Sequence, residues 1–163
     1  MSTLKSVRAR RVHRAKPGLN KRTSRETAAQ RRAGILSVSP SGNDHETLRH
    51  IVEDAPWDIS VASTFSDAIA YLTRERAPLI VICESQLPDG TWKDVFIHLA
   101  QCPKPPILIV TSRLADEYLW AEVLNLGAYD VLSKPFNERE VRHVLGSVWE
   151  RTGNEICAHA AGV

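Results

Sequence analysis

The chain has 163 residues, 43% hydrophobic and 25% charged, enough for one well-cored domain and a tail. No apolar run approaches the roughly 18 residues needed to cross a membrane, and the N-terminus lacks the apolar stretch of a secretory signal. Cys83, Cys102 and Cys157 are an odd number without C-x-x-C spacing, which argues against a disulfide framework or zinc site and fits a reducing cytoplasm.

The charge is unevenly spread. Residues 1 to 33 carry eleven Lys and Arg against the single acid Glu26, a net of +10, while residues 34 to 163 carry ten bases against eighteen acids, a net of −8. The first segment has few large apolar side chains and no sustained periodicity, so it cannot bury enough surface to offset its ordering entropy. It reads as a disordered basic arm, with room for a short helix over 25–32. Residues 34–152 read as the folded domain, and 153–163 as a flexible C-terminal tail.

Within the domain, Ile35–Val38 is a short apolar strand. Asn43, with Glu46 three residues on, has the spacing of a capping box, opening a helix with Leu48, Ile51 and Val52 on its inner face. Trp57, Ile59 and Val61 alternate as one face of a strand. Ser66 is placed to cap a second helix through Ala68, Ile69 and Leu72. Leu79–Cys83 is a continuous apolar run, the pattern of a central strand covered on both faces, and it ends on Glu84. A third helix over Thr91–Ala100 has Val95, Phe96 and Leu99 inward. Ile107–Val110 is the fourth strand, ending on Thr111 and Ser112. Ala115–Leu126, closed by Gly127 as a C-cap, is a fourth helix with Leu119, Val123 and Leu126 inward. Val131 and Leu132 make a short fifth strand. A last helix over Asn137–Arg151 has Val141, Val144, Leu145 and Val148 at core spacing. Five strands alternating with five helices predict a doubly wound parallel α/β sheet with its chemistry at the carboxyl ends of the strands.

Three segments hold that chemistry. PLIVICESQLPDG over 78–90 sets Glu84 at a strand end before a turn with Pro88, Asp89 and Gly90. Thr111 ends the next strand, and GAYDVLSKPF over 127–136 places Lys134 before Pro135. Together they resemble the receiver domain of response regulators, the CheY-like superfamily, across residues 34–152. The resemblance implies a flavodoxin-like five-stranded sheet of order 2-1-3-4-5. It puts the phosphoacceptor position at Glu84, the phosphate-binding hydroxyl at Thr111 and the phosphate-binding lysine at Lys134, with a cis Lys134–Pro135 peptide.

Several positions depart from that pattern. The family's phosphoacceptor is Asp, whereas here it is Glu84. The acidic pair that holds Mg²⁺ is replaced by Ser39 and Pro40, and a hard cation wants carboxylate oxygens in near-octahedral geometry. Asp44 is the nearest acid, but in the first turn of a helix it reads as pointing elsewhere. The switch aromatic, three residues before the lysine, is Val131. Trp92 reads as covering the loop beside Glu84. One added C–C bond displaces a carboxylate by about 1.5 Å. Glu84 therefore reads as a resident anion reaching Lys134 and Thr111, in a pocket with weak or absent Mg²⁺ binding and no other cofactor. The bland alternative is a structural ion pair without signalling role. Ser39 and Ser41 read as turn or capping residues, and Cys83 as a buried small hydrophobe. The histidines have no metal-ligand spacing except the weak pair Cys157 and His159.

The chain thus reads as a stand-alone receiver-like protein of two-component phosphorelay signalling. On this reading it is expected not to be an enzyme, to carry no output domain, and to act by binding a signalling protein or histidine kinase. The family's interaction face of fourth helix, fifth strand and fifth helix is the expected partner or homodimer surface, and Tyr118 and Trp120 cannot both be buried there. One alternative is a conventional Mg²⁺-dependent phosphoreceiver that tolerates Glu84. Another is a nucleic-acid-associated protein whose arm contacts phosphates non-specifically, or docks an acidic partner. Met1 is the only methionine, so a different start codon nearer the domain would leave the arm out of the protein altogether.

Overall fold

Period-two alternation in an apolar strand assigns each side chain to one face of its sheet. The computed structural model describes residues 32–160, with side chains through Gly153. In chain order the elements are β1 (Ala33–Val38), α1 (Gly42–Ile51), β2 (Trp57–Ala62), α2 (Phe65–Arg74) and β3 (Ile80–Glu84). A small hairpin of β4 (Gln86–Leu87) and β5 (Gly90–Thr91) follows, then α3 (Trp92–Leu99) and β6 (Ile107–Ser112). The last elements are α4 (Glu117–Leu126), β7 (Asp130–Ser133) and α5 (Glu138–Ala160). The main sheet is parallel throughout, in the order β2-β1-β3-β6-β7. With the hairpin set aside, that is the predicted 2-1-3-4-5. The arm up to residue 31 and the side chains of Cys157 and His159 lie outside the described residues.

Strand parity divides the core in two. Leu36, Val38, Val81, Cys83, Val110 and Val131 pack with Ala68, Val95 and Val123, from α2, α3 and α4. Ile35, Ile80, Ile82, Ile109 and Leu132 pack on the opposite face with Leu48, Ile51, Val141 and Leu145, from α1 and α5. By the same count, Ser37, Glu84 and Thr111 project toward the α1 and α5 side. Two of these three stand at the carboxyl ends of adjacent strands, paired in register as Glu84 with Thr111.

The helix ends differ from the sequence reading. Helix α1 opens at Ser41, whose side chain makes no capping bond, so Asn43 already lies inside the first turn and its box with Glu46 does not form. At α2 the cap is Thr64, whose hydroxyl accepts from the Asp67 N–H at 3.0 Å. Ser66 instead donates its hydroxyl to Asp89 at 2.7 Å. The Asp89 carboxylate also accepts from the N–H groups of Phe65 and Ser66 at 2.7 and 2.9 Å, which pins the hairpin turn to the start of α2. Leu126, on α4, is 47% exposed instead of inward, and Val61, on the edge strand β2, is 43% exposed. Helix α5 continues to Ala160, past the expected end at Arg151.

Gly127 closes α4 in the left-handed region at φ 99°. A Cβ added there would meet only Phe96 Cζ at 3.7 Å, an ordinary contact, so substitution acts through backbone conformation. Gly127→Ala should lower unfolding free energy by about 1–2 kcal/mol in urea titrations, and Gly127→Asn by less, since Asn visits this region more readily.

Candidate functional site

The carboxyl edge of the sheet gathers groups from four elements. Glu84 ends β3, Thr111 lies one residue from the end of β6, and Lys134 follows β7, its N–H donating to the Ser112 carbonyl at 3.0 Å. The Lys134–Pro135 peptide is cis. The Lys134 ammonium donates to Asp44 Oδ2 at 2.5 Å and forms an ion pair with Glu84 Oε2. Their side chains are only 8%, 9% and 14% exposed, for Lys134, Asp44 and Glu84 in turn, so the three charges meet largely withdrawn from water.

Asp44 corrects the expectation that it points elsewhere. It stands four residues before Leu48 and seven before Ile51, both buried, and therefore shares the inner stripe of α1. That spacing was the signal available in the sequence. Ser39 Oγ donates to the same Asp44 oxygen at 2.7 Å and accepts from the Ser41 N–H at 3.1 Å. Burial by itself would raise the Asp44 carboxyl, but the hydrogen bonds from Lys134 and Ser39, with the charge of Lys134, hold it below the ordinary carboxylate range.

The other oxygen of Glu84, Oε1, accepts from the N–H and hydroxyl of Ser85, each at 3.2 Å. Glu84 thus reaches Lys134, while its second oxygen goes to Ser85. Thr111 is buried, and its carbonyl accepts from the Ser85 N–H at 2.8 Å. Its hydroxyl makes no hydrogen bond to Glu84 or Lys134 among the described residues. Pro40 is exposed, and its side chain offers no ligand atom.

Beneath this edge lies His45, which sequence reasoning passed over. Its Nε2 lies 3.0 Å from the Ser39 carbonyl and its Nδ1 2.8 Å from Ser37 Oγ. A carbonyl can only accept, so the ring carries its proton on Nε2, and in the neutral form Nδ1 accepts from Ser37. Burial pushes the His45 pKa down, against the opposing pull of the Ser39 carbonyl and the Asp44 charge.

Val131 is a core residue on the α4 side of the sheet, the face opposite Glu84. Trp92 is 2% exposed and packs in that same core with Phe96, ring centroids 6.4 Å apart. It is a packing residue, which replaces the reading of a cover over the site. Cys83 lies there too, its thiol pushed up to about 12 by burial, so it is inert as a nucleophile. On α4, Tyr118 is 79% and Trp120 38% exposed.

The residues present do not fit a Mg²⁺ ion. The two carboxylates both turn to an ammonium, and the hydroxyl at the first acidic-pair position is engaged with Asp44. Among the described residues no group of three His, Cys, Asp or Glu side chains is arranged to hold a metal. No helix in this range is long and apolar enough to cross a membrane.

A family model for the response regulator receiver domain matches residues 43–146. The "Probable transcriptional regulatory protein TcrX" of Mycobacterium tuberculosis is 37% identical over 98 residues, 60% of this chain and 41% of that protein. The alkaline phosphatase synthesis transcriptional regulatory protein PhoP of Bacillus subtilis is 30% identical over 125 residues, 76% of this chain and 50% of PhoP. The chain therefore spans half or less of the length of these regulators. Among solved structures, the signal receiver domain of an HD domain-containing protein from Pseudomonas fluorescens matches with TM-score 0.68 and 25% identity, over 77% of this chain and 92% of that one. The chemotaxis response regulator CheY4 of Vibrio cholerae shares the fold at TM-score 0.64 and 21% identity, over 71% of this chain and 98% of that one.

Two measurements probe the ion cluster. Lys134→Met leaves two buried carboxylates without their cation and should cost about 3–5 kcal/mol in urea unfolding. The Asp44 pKa is lowered on folding from an ordinary value of 3.8, so its contribution is complete above that value and is lost as pH falls through the folded one. The stability gap between wild type and Asp44→Asn should be constant from about pH 6 to 8 and narrow below about pH 4.

Proposed function

The chain belongs to the response regulator receiver family of two-component signalling, and from that membership we propose that it is a pseudo-receiver, which signals by binding partners without being phosphorylated. One observation carries the reading: the Lys134 ammonium is already held by two carboxylates of the chain itself, Asp44 and Glu84. A phosphoryl group arriving at Glu84 would have to displace an ion pair shielded from water. It would also find no acidic pair to bring a metal, since Ser39 and Pro40 stand there. Glu84 carries no more charge than an aspartate would, but its longer side chain brings the carboxylate onto Lys134, the cation that a phosphoryl group would otherwise use.

A module of this kind works through its surface, and receiver domains engage histidine kinases and other signalling proteins. Tyr118 and Trp120 offer exposed aromatic anchors on α4 for such a partner. The net +10 of residues 1–33 favours an additional contact with an acidic protein or with nucleic acid phosphates.

The test is incubation with Mg²⁺ and acetyl phosphate, read by intact-protein mass, on wild type, Glu84→Asp and Glu84→Asp with Ser39→Asp. No adduct is expected on the first two. An adduct on the wild-type chain would overturn the reading in favour of a phosphoreceiver that tolerates Glu84. Labelling confined to the double variant would identify the missing acid as the deeper defect.

A further inference from the structure

A cavity of about 410 Å³ opens beside the ion cluster. Asn43 and Thr47 of α1 line it, with Arg113 from the segment between β6 and α4, and Lys134, Pro135 and Phe136 from the segment between β7 and α5. Its volume falls within the usual range of small-molecule sites. Five of its seven lining residues are polar or charged, and Pro135 and Phe136 make an apolar wall beside them, so it has both ends needed to orient an amphipathic molecule.

Charge decides the polar end. Asp44, the remaining lining residue, is engaged with Lys134 and Ser39, and Lys134 is shared between Asp44 and Glu84. Lys134, held by two carboxylates, therefore has no charge to spare for an anionic ligand. Arg113 differs: it is exposed and, among the described residues, makes no ion pair and no side-chain hydrogen bond. A guanidinium is a planar fork suited to two oxygens of one carboxylate or phosphate. Thr47 Oγ1 donates its hydrogen to the Asn43 carbonyl at 2.8 Å, which leaves the Asn43 side-chain amide as a further donor at the rim.

The apolar end comes from Pro135 and Phe136. Phe136 packs partly buried against the α1 and α5 core, so one side of the ring is fixed by the fold while the residue still lines the cavity. A flat apolar body laid against this wall would lose water on one face at little cost in side-chain entropy.

We infer that this cavity binds a small organic anion, one with a carboxylate or phosphate for Arg113 and a flat, aromatic-sized body for Pro135 and Phe136. The inference rests on the closed-site reading above, because an unengaged Lys134 would make the pocket a site for inorganic phosphate instead. A ligand held here would bridge α1 and the segments that follow β6 and β7, and so offers a chemical input to a receiver that phosphate does not reach.

The experiment is an NMR titration of the full, ¹⁵N-labelled chain with benzoate, phenyl phosphate, benzamide and inorganic phosphate. Saturable amide shifts at Asn43, Thr47, Arg113 and Phe136 are expected with benzoate or phenyl phosphate, and the tighter of the two identifies the anionic group. Benzamide lacks the charge and inorganic phosphate lacks the body, so each should bind at least about tenfold more weakly. Arg113→Ala, an exposed substitution whose urea midpoint should stay unchanged, should weaken the aryl anion about tenfold, with Arg113→Lys intermediate. Absence of saturable shifts with both aryl anions would overturn the inference, as would binding undiminished in Arg113→Ala or inorganic phosphate binding as tightly. Failure of the closed-site reading looks different: it appears as a phosphoryl adduct in the acetyl phosphate assay. Lost aryl-anion binding without an adduct removes this inference alone.

Discussion

One ammonium between two carboxylates governs the carboxyl edge of this domain. Each ion loses several kcal/mol of hydration on burial, and mutual attraction offsets that loss only when geometry is good and the remaining lone pairs are satisfied. Here neutral donors help: Ser39 joins Lys134 on Asp44 Oδ2, and Ser85 serves Glu84 through both its N–H and its hydroxyl. The cluster joins α1, β3 and the segment after β7 at one point. With one positive charge against two negative ones it carries a net of −1, which the neutral donors of Ser39 and Ser85 solvate without cancelling.

The polar residues below the cluster follow from the same strand parity that aims Glu84. In β1, Ser37 falls between Leu36 and Val38 and turns to the α1 side, where the neighbouring strands carry isoleucines. A hydroxyl buried among them would be costly without a partner. His45 supplies one, and its second nitrogen satisfies the Ser39 carbonyl. Burial lowers the histidine pKa, so the ring is neutral near pH 7 and keeps the lone pair that Ser37 needs. The backbone of Ser39 is thereby tied from below while its hydroxyl is free to hold Asp44 from above.

Much of this was legible in the sequence because it depends on period and parity. The run to Glu84, the strand ending near Thr111 and the Lys134–Pro135 step are local patterns that topology converts into one site. The helix starts were less legible. A capping box at Asn43 and Glu46 and a cap at Ser66 are sound spacings, yet Ser41 and Thr64 begin those helices, because the end of the preceding strand fixes where each helix can start. Asp44 was misread for a related reason. Its acidity drew attention to the helix N-terminus, whereas its phase with Leu48 and Ile51 placed it inward. Trp92 could not be assigned from spacing alone, since a large aromatic in the first turn of α3 fits a rim as well as a core. Packing with Phe96 puts it in the core.

The longer side chain at position 84 changes what the pocket can accept. With Glu84, the carboxylate spans to Lys134 from β3 while Asp44 approaches from α1, so the cation is matched before any ligand arrives. A phosphoryl group would bring further negative charge to a cluster already at −1, without a metal to offset it, and within a few ångströms in a poorly hydrated site that repulsion is substantial. Thr111 has no hydrogen bond into the cluster, and Val131 lies on the opposite face of the sheet with no aromatic ring to move. Arg113 stands apart from this arithmetic. At the mouth of the cavity, exposed and outside every ion pair among the described residues, it can meet an incoming anion without disturbing the three buried charges behind it.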